Sequence, residues 1–223
     1  MFSKGRFAVS LTAAVVPLVA GFWGYSAYEA REQRRTITAA VKDTTVRLRE
    51  ALPVAPALKG RKALGRLEQH EAALEAHLRE VRRAGRAGDP ELADGAGHYV
   101  LGAREILRHQ AASIRLAQRT ARSRYALAAH MSRAGQRDAA WIRLAASRKK
   151  ALEGEYFDYS VALSALSELL WSFPDARKRL APHIDAALLL EVGPAEDAHR
   201  AALREAKRVT QELEGLRRLA PGR

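Results

Sequence analysis

Residues 97–132 read GHYVLGAREILRHQAASIRLAQRTARSRYALAAHMS, and they decide the fold. Val100, Ala103, Leu107, Ile114, Ala117, Ala121, Ala128 and Met131 recur at spacings of three, four and seven, the period of one helix face. No proline interrupts the run, and Ala, Leu and Arg favour helix. Ser132-Arg133-Ala134-Gly135 then reads as a short turn. A second long helix is expected over about 137–172. Its inner face is Ile142, Ala145, Leu152, Tyr156, Tyr159, Leu163, Leu166 and Leu170, with Lys149 the exception. Two long helices joined by a short turn make an antiparallel hairpin.

The same period extends outward. A helix over about 58–86 presents Leu64, Leu67, Leu74, Leu78 and Val81, broken only by Glu71. Before it, Ile37, Val41, Thr44, Leu48 and Leu52 share one face of a helix that begins near the N-terminus. Residues 84–97 are glycine-rich and read as a loop. Segments over about 175–191, bent at Pro182, and about 195–219 complete the chain. Pro53, Pro56, Pro90, Pro174, Pro194 and Pro221 fall between helical patterns, where helix breakers belong. No sustained alternation suggests a strand. The expectation is an all-α fold: an N-terminal single transmembrane helix followed by an elongated antiparallel helical bundle with coiled-coil-like packing.

The transmembrane expectation rests on residues 7–28, FAVSLTAAVVPLVAGFWGYSAY, which contain no charged side chain. At 1.5 Å rise they cover roughly 33 Å, against about 30 Å of hydrocarbon. Trp23, Tyr25 and Tyr28 gather at one end, as an interfacial belt does. Bulky Tyr25 and Tyr28 before the small residues Ala27 and Ala30 argue against a cleaved leader. The domain boundaries follow: a basic tail over 1–6, a span over 7–28, a stalk helix and linker over 29–57, and the bundle over 58–223. Lys4 and Arg6 precede the span, while Arg31, Arg34, Arg35 and Lys42 follow it. That count favours a cytoplasmic bundle. The short basic tail ahead of an apolar run resembles an export signal-anchor, and the reading leans to a periplasmic bundle. The 30 Arg against 8 Lys suit a GC-rich bacterial genome, so the expected location is a bacterial inner membrane.

Charge is the other distinctive feature. Lys and Arg number 38 and Asp and Glu 25, a net charge of +13. Residues 106–137 hold seven arginines and no acid, whereas 151–175 hold Glu153, Glu155, Asp158, Glu168 and Asp175 and no base. Arg104, Arg108, Arg115, Arg119 and Arg122 recur at four, seven, four and three, on one side of a helix. Two readings follow. A hairpin turning near 133–136 places residue i opposite about 269 minus i. Arg115 then lies near Gly154, between Glu153 and Glu155, and Arg108 lies about one turn from Asp158, so the two helices neutralise each other. Alternatively the five arginines face an anionic ligand or lipid headgroup. Nucleic acid is disfavoured, because only Tyr125 offers a stacking platform.

Catalytic patterns are missing. The chain has no cysteine, which excludes disulfides, thiol nucleophiles and Cys-ligated metals. His70-Glu71 begins a helical zinc motif that fails at Leu74. His70 and His77, seven apart, lack a third ligand and read as surface residues. Glu196-Asp197-Ala198-His199 is one half of a di-iron pair without the other, and reads as a helix N-terminus. In the 154–160 segment Tyr156 and Tyr159 belong to the core face, leaving Phe157 and Asp158 pointing elsewhere. Trp171-Ser172-Phe173-Pro174 reads as a packed helix end. The expectation is a non-enzyme with no cofactor and no metal. It acts through protein–protein interaction as an envelope scaffold, adaptor or accessory subunit. The alternative is an anion- or lipid-binding module. The partners expected are the bilayer, an unidentified protein and further copies of the chain.

Overall fold

The computed structural model describes the backbone of residues 6–52, 61–86, 88–132 and 138–218, with side chains from residue 27 onward except at Arg61. Five helices follow one another: α1 (Arg6–Ala51), α2 (Arg61–Ala84), α3 (Pro90–Met131), α4 (Ala139–Leu180) and α5 (Val192–Arg218). A 3₁₀ turn, Ala186–Leu188, lies between the last two, and no strand occurs among the described residues. The fold is an all-α bundle.

The apolar stretch 7–28 falls in the first half of α1. The side chains of 7–26 lie outside the described residues, and among the described residues no helix is long and apolar enough to cross a membrane. The second half of α1 is core. Ile37, Val41, Thr44, Leu48 and Leu52 are all buried, as their spacing implies. Residues 37–52 of the segment assigned to stalk and linker therefore pack into the bundle, against α2 and α3, while 53–57 lie outside the described residues.

Two cores stack along the long axis. The main one gathers residues of α1, α2, α3 and the second half of α4, with Leu189, Leu190 and the start of α5. The smaller one joins Leu152, Tyr156, Tyr159 and Leu163 of α4 to Val209, Leu213 and Leu216 of α5, with Leu116, Ala117 and Leu127 of α3 against them. The end nearer the α3–α4 turn is thus a three-helix structure. Tyr99 is the junction of the main core. Its hydroxyl accepts from the Leu190 N–H at 2.9 Å and lies 2.8 Å from the Thr45 hydroxyl, which in turn reaches the Val41 carbonyl at 3.1 Å. Its ring lies 5.0 Å from that of Phe173. One side chain therefore ties α1, α3, α4 and the chain after α4.

Several expectations change. The loop over 84–97 shortens, because Asp89 caps α3 by accepting from the N–H groups of Glu91 (3.1 Å) and Leu92 (3.0 Å), with Pro90 in the first turn. Of the glycines that suggested a loop, Gly95 and Gly97 sit inside this helix, whereas Gly85 and Gly88 lie between α2 and α3. Gly95 packs against the end of α4, where a Cβ would lie at ordinary contact distance, 3.5 Å from the Leu180 Cα. Pro174 does not end α4, which continues to Leu180. Proline costs the helix one hydrogen bond, and buried Phe173 beside it is held against Tyr99 and Gly102. The expected helix over 175–191 is instead a helix end, a turn through His183 and the 3₁₀ turn capped by Asp185.

The α3–α4 hairpin forms, with its register moved by about one turn. Arg119 faces Glu155, and the Arg148 guanidinium donates to the Ala126 carbonyl, a register of 274 minus i rather than 269. Near the turn Ala121, Ala128, Met131 and Ile142 are exposed, not core. Buried His130 replaces them, stacked on Trp141 at 4.9 Å and bonded to its carbonyl at 3.1 Å. The turn residues 133–137 lie outside the described residues.

The Tyr99→Phe variant leaves the Leu190 N–H buried without an acceptor. It should lose about 1–3 kcal/mol of unfolding free energy, read from urea denaturation followed by circular dichroism. A change under about 0.3 kcal/mol would remove this junction from the account.

Candidate functional site

The carboxylates beside the α3 arginines come from α2, α4 and α5 and from Glu105 of α3 itself. Arg104 pairs with Glu75 of α2 at 3.0 Å and with its neighbour Glu105 at 3.5 Å. Arg115 pairs with Glu68, also on α2. Arg119 donates to Glu155 of α4 at 2.8 Å. Arg124, outside the five, approaches Glu212 of α5 at 3.6 Å. Arg108 meets only Glu105, at 3.8 Å, and Arg122 has no partner among the described residues. Of the five singled out, then, three bridge to another helix. Arg115 does not meet α4 as expected, because its helix face turns toward α2.

These pairs differ in weight. Exposed pairs contribute ~0–1 kcal/mol each. The Glu155 side chain is only 9% exposed, whereas Arg119 is 68% exposed. Its second oxygen has no partner. Removing Arg119 strands a buried carboxylate, which costs more than losing a surface pair.

Between α1 and α2 runs a polar seam that sequence reading assigned to the surface. Asp43 accepts from Arg47 Nε at 2.5 Å and lies 2.7 Å from His77 Nε2. The other ring nitrogen of His77 lies 3.1 Å from Glu80. Arg47 donates to His70 Nδ1 at 3.2 Å, so the His70 proton sits on Nε2, facing Glu50 at 3.6 Å. Burial and then the Arg47 charge hold the His70 imidazole below its usual range. For Asp43 burial pulls upward, but the bonds from His77 and Arg47 outweigh it and hold the carboxyl below its usual range. No group of three His, Asp or Glu among the described residues fits a metal ion.

A second seam joins α4 to α5. The Tyr156 hydroxyl donates to Glu212 at 2.6 Å and Tyr159 to Glu205 at 3.0 Å, with Arg208 bridging both carboxylates. Burial and the Glu212 carboxylate push the Tyr156 hydroxyl up to about 12. Burial and Glu205 raise Tyr159 as well. Both hydroxyls serve as donors across this helix seam. On the same flank Ser167 meets His199 Nδ1 at 2.9 Å.

Exposed features complete the inventory. Phe157 is 56% exposed and Asp158 is exposed, as expected. Trp171 is 71% exposed, so only Phe173 of the expected packed helix end is buried. Arg31, Arg34, Arg35 and Lys42 line a shallow basic hollow of about 520 Å³ on α1. A second open groove, about 410 Å³, lies between the end of α2 and the start of α3, with Arg82, Arg86 and His98 on its rim. Neither hollow juxtaposes a nucleophile with a base.

Compared with protein-family models, with curated proteins and with solved structures, the chain matches none.

Two outcomes test these assignments. Arg119→Gln should cost about 1–2 kcal/mol of stability, whereas Arg122→Gln should leave it unchanged; equal effects would refute the distinction. The His70 proton affinity is lower in the folded than in the unfolded chain. Stability therefore falls as pH drops below about 6.5 toward the depressed folded value. Denaturant midpoints between pH about 7 and about 5 should accordingly vary less in His70→Gln than in the parent chain. Parallel curves would contradict the seam.

Proposed function

We propose that the chain is a membrane-tethered helical-bundle protein that works by binding other proteins, as a scaffold, adaptor or accessory subunit of a bacterial inner membrane. The observation that carries this reading is the continuity of α1. One 46-residue helix includes the uncharged stretch 7–28 and ends as core of the bundle. A bundle joined in this way is held at a fixed attitude to whatever embeds the first half of α1. The basic hollow of Arg31, Arg34, Arg35 and Lys42 begins three residues beyond the apolar stretch, the position where anionic headgroups lie.

The arginine face of α3 is assigned to internal charge pairing. Three of its five members reach carboxylates of α2 or α4, which leaves Arg108 and Arg122 for an anionic ligand. The non-enzymatic reading draws on the seam tyrosines and the structural histidines described above. The bundle is assigned to the periplasmic side.

Two measurements bear on this reading. Full-length protein should co-float with phospholipid vesicles and resist extraction by high salt and carbonate, and protein left at the bottom of the gradient would overturn the tether. C-terminal fusions should activate an export-dependent reporter and leave a cytoplasm-dependent fluorescent one dark. The reverse pattern would move the bundle inside.

A further inference from the structure

The outward face of α4 carries two rows of heptad-spaced residues. One row is Arg143, Lys150, Phe157, Ser164 and Trp171. The other is Ser147, Gly154, Val161, Glu168 and Asp175. All ten are exposed. Together they step along the helix by alternating fours and threes, the seam of a two-stranded coiled coil. Among the described residues the bundle touches this seam at one end, where the Trp171 ring lies 5.4 Å from that of His199 on α5, and the Trp171 side chain is still largely exposed. Arg143, Lys150 and Glu168 have no ion-pair partner among the described residues, and Asp175 meets only exposed Lys178, at 3.3 Å. A Cβ built on Gly154 would meet open space.

The charges on this seam are segregated. The first half is cationic at 143 and 150, and the second is anionic at 168 and 175. Turned end for end, the seam is complementary to itself. With residue i opposite 318 minus i, Arg143 meets Asp175 and Lys150 meets Glu168. Phe157 meets Val161 at the centre. Gly154 meets Ser164, and the large Trp171 meets the small Ser147. All ten residues find a matching neighbour in this one register. A parallel pairing would place like charges together at all four charged positions.

We infer that α4 is the self-association surface of this protein, pairing antiparallel with α4 of a second copy about a two-fold axis at the level of residue 159. Two ion pairs, Arg143 with Asp175 and Lys150 with Glu168, are each formed twice by the two-fold, four contacts in all, and the apolar contact of Phe157 with Val161 is the centre. The small side chains at 154 and 164 let the helices approach there. Charge fixes direction and register more than it adds affinity, so the pair is a weak, specific one.

The pairing itself is independent of the tether, but its consequence rests on it. α1 runs alongside α3 in the same direction, with Thr45 at the level of Tyr99 and Ala51 at that of Gln110. An antiparallel pair therefore sends its two α1 helices out of opposite ends. Tethered copies would join two facing bilayers, or two facing sheets of one folded membrane.

Charge reversal at exposed sites tests the pair without threatening the fold. The full chain in mild detergent should be dimeric by light scattering. Lys150→Glu should lower the association constant about tenfold, and Glu168→Lys likewise, because each replaces two attractive contacts by two repulsive ones. The double variant K150E/E168K should recover association, and so should an equimolar mixture of the two single variants. Direction is tested with cysteines, since the chain has none of its own. Gly154→Cys and Ser164→Cys should not form homodimeric disulfides separately, because ten residues along a helix is about 15 Å. Mixed, they should cross-link. A monomeric parent chain up to its solubility limit, dimers indifferent to charge reversal, or disulfides in either cysteine variant alone would each overturn the proposal. Charge-dependent dimers that fail to float with vesicles would uphold the pair and count against the tether alone.

Discussion

The long arginine run of α3 has no carboxylate of its own between residues 106 and 137, so its counter-charges must come from other helices. That constraint organises the bundle. Glu68 and Glu75 place α2 along one flank of α3, Glu155 holds α4 on another, and Glu212 brings α5 to Arg124. None of the exposed pairs is strong. Their joint effect is on register, because each arrangement that slides a helix by one turn separates several pairs at once. Apolar burial supplies the driving force, and the carboxylates select which of the similar packings forms.

The same distribution explains what is left over. Carboxylates facing inward from α2, α4 and α5 meet the arginines and tyrosines of the seams. Glu168 and Asp175, which face outward on α4, find no match among the described residues except Lys178. Near them sit exposed Phe157, Val161 and Trp171. A helix whose inner face is fully committed and whose outer face is ordered by sign and size has the makings of an interface. The rest of the surface is different in kind. On α3 the cations are dispersed between partners on three other helices, and the α1 cations cluster beside the apolar stretch.

Much of this was readable in the residues. The faces of α1 and α2 came through intact because three-four spacing of large aliphatic side chains is specific to a buried helix face. The start of α3 was hidden by Gly95 and Gly97, although Asp89-Pro90 carries a capping signal that competes with them. Pro174 read as a terminator because its cost is local, whereas the Phe173 contacts beside it are tertiary. The hairpin register depends on the turn, and a shift of about one turn was enough to move Glu155 from Arg115 to Arg119 and leave Arg115 to Glu68 of α2. The His70–His77 seam was not visible at all. Its meaning depends on Asp43, Arg47 and Glu50, which lie on another helix at i, i+4 and i+7. The heptad rows of α4 stayed hidden for a related reason: an exposed pattern stands out only once the buried face of the same helix is known.

One distance decides whether α4 is a two-fold, antiparallel interface. A single spin label on the exposed residue 146, in place of alanine, should report a separation of about 40 Å between copies of the full chain by pulsed dipolar spectroscopy, since the labels lie thirteen residues either side of the axis. A separation near 10–15 Å, as adjacent parallel helices at 8–10 Å would give, or the absence of any dipolar modulation, would contradict it.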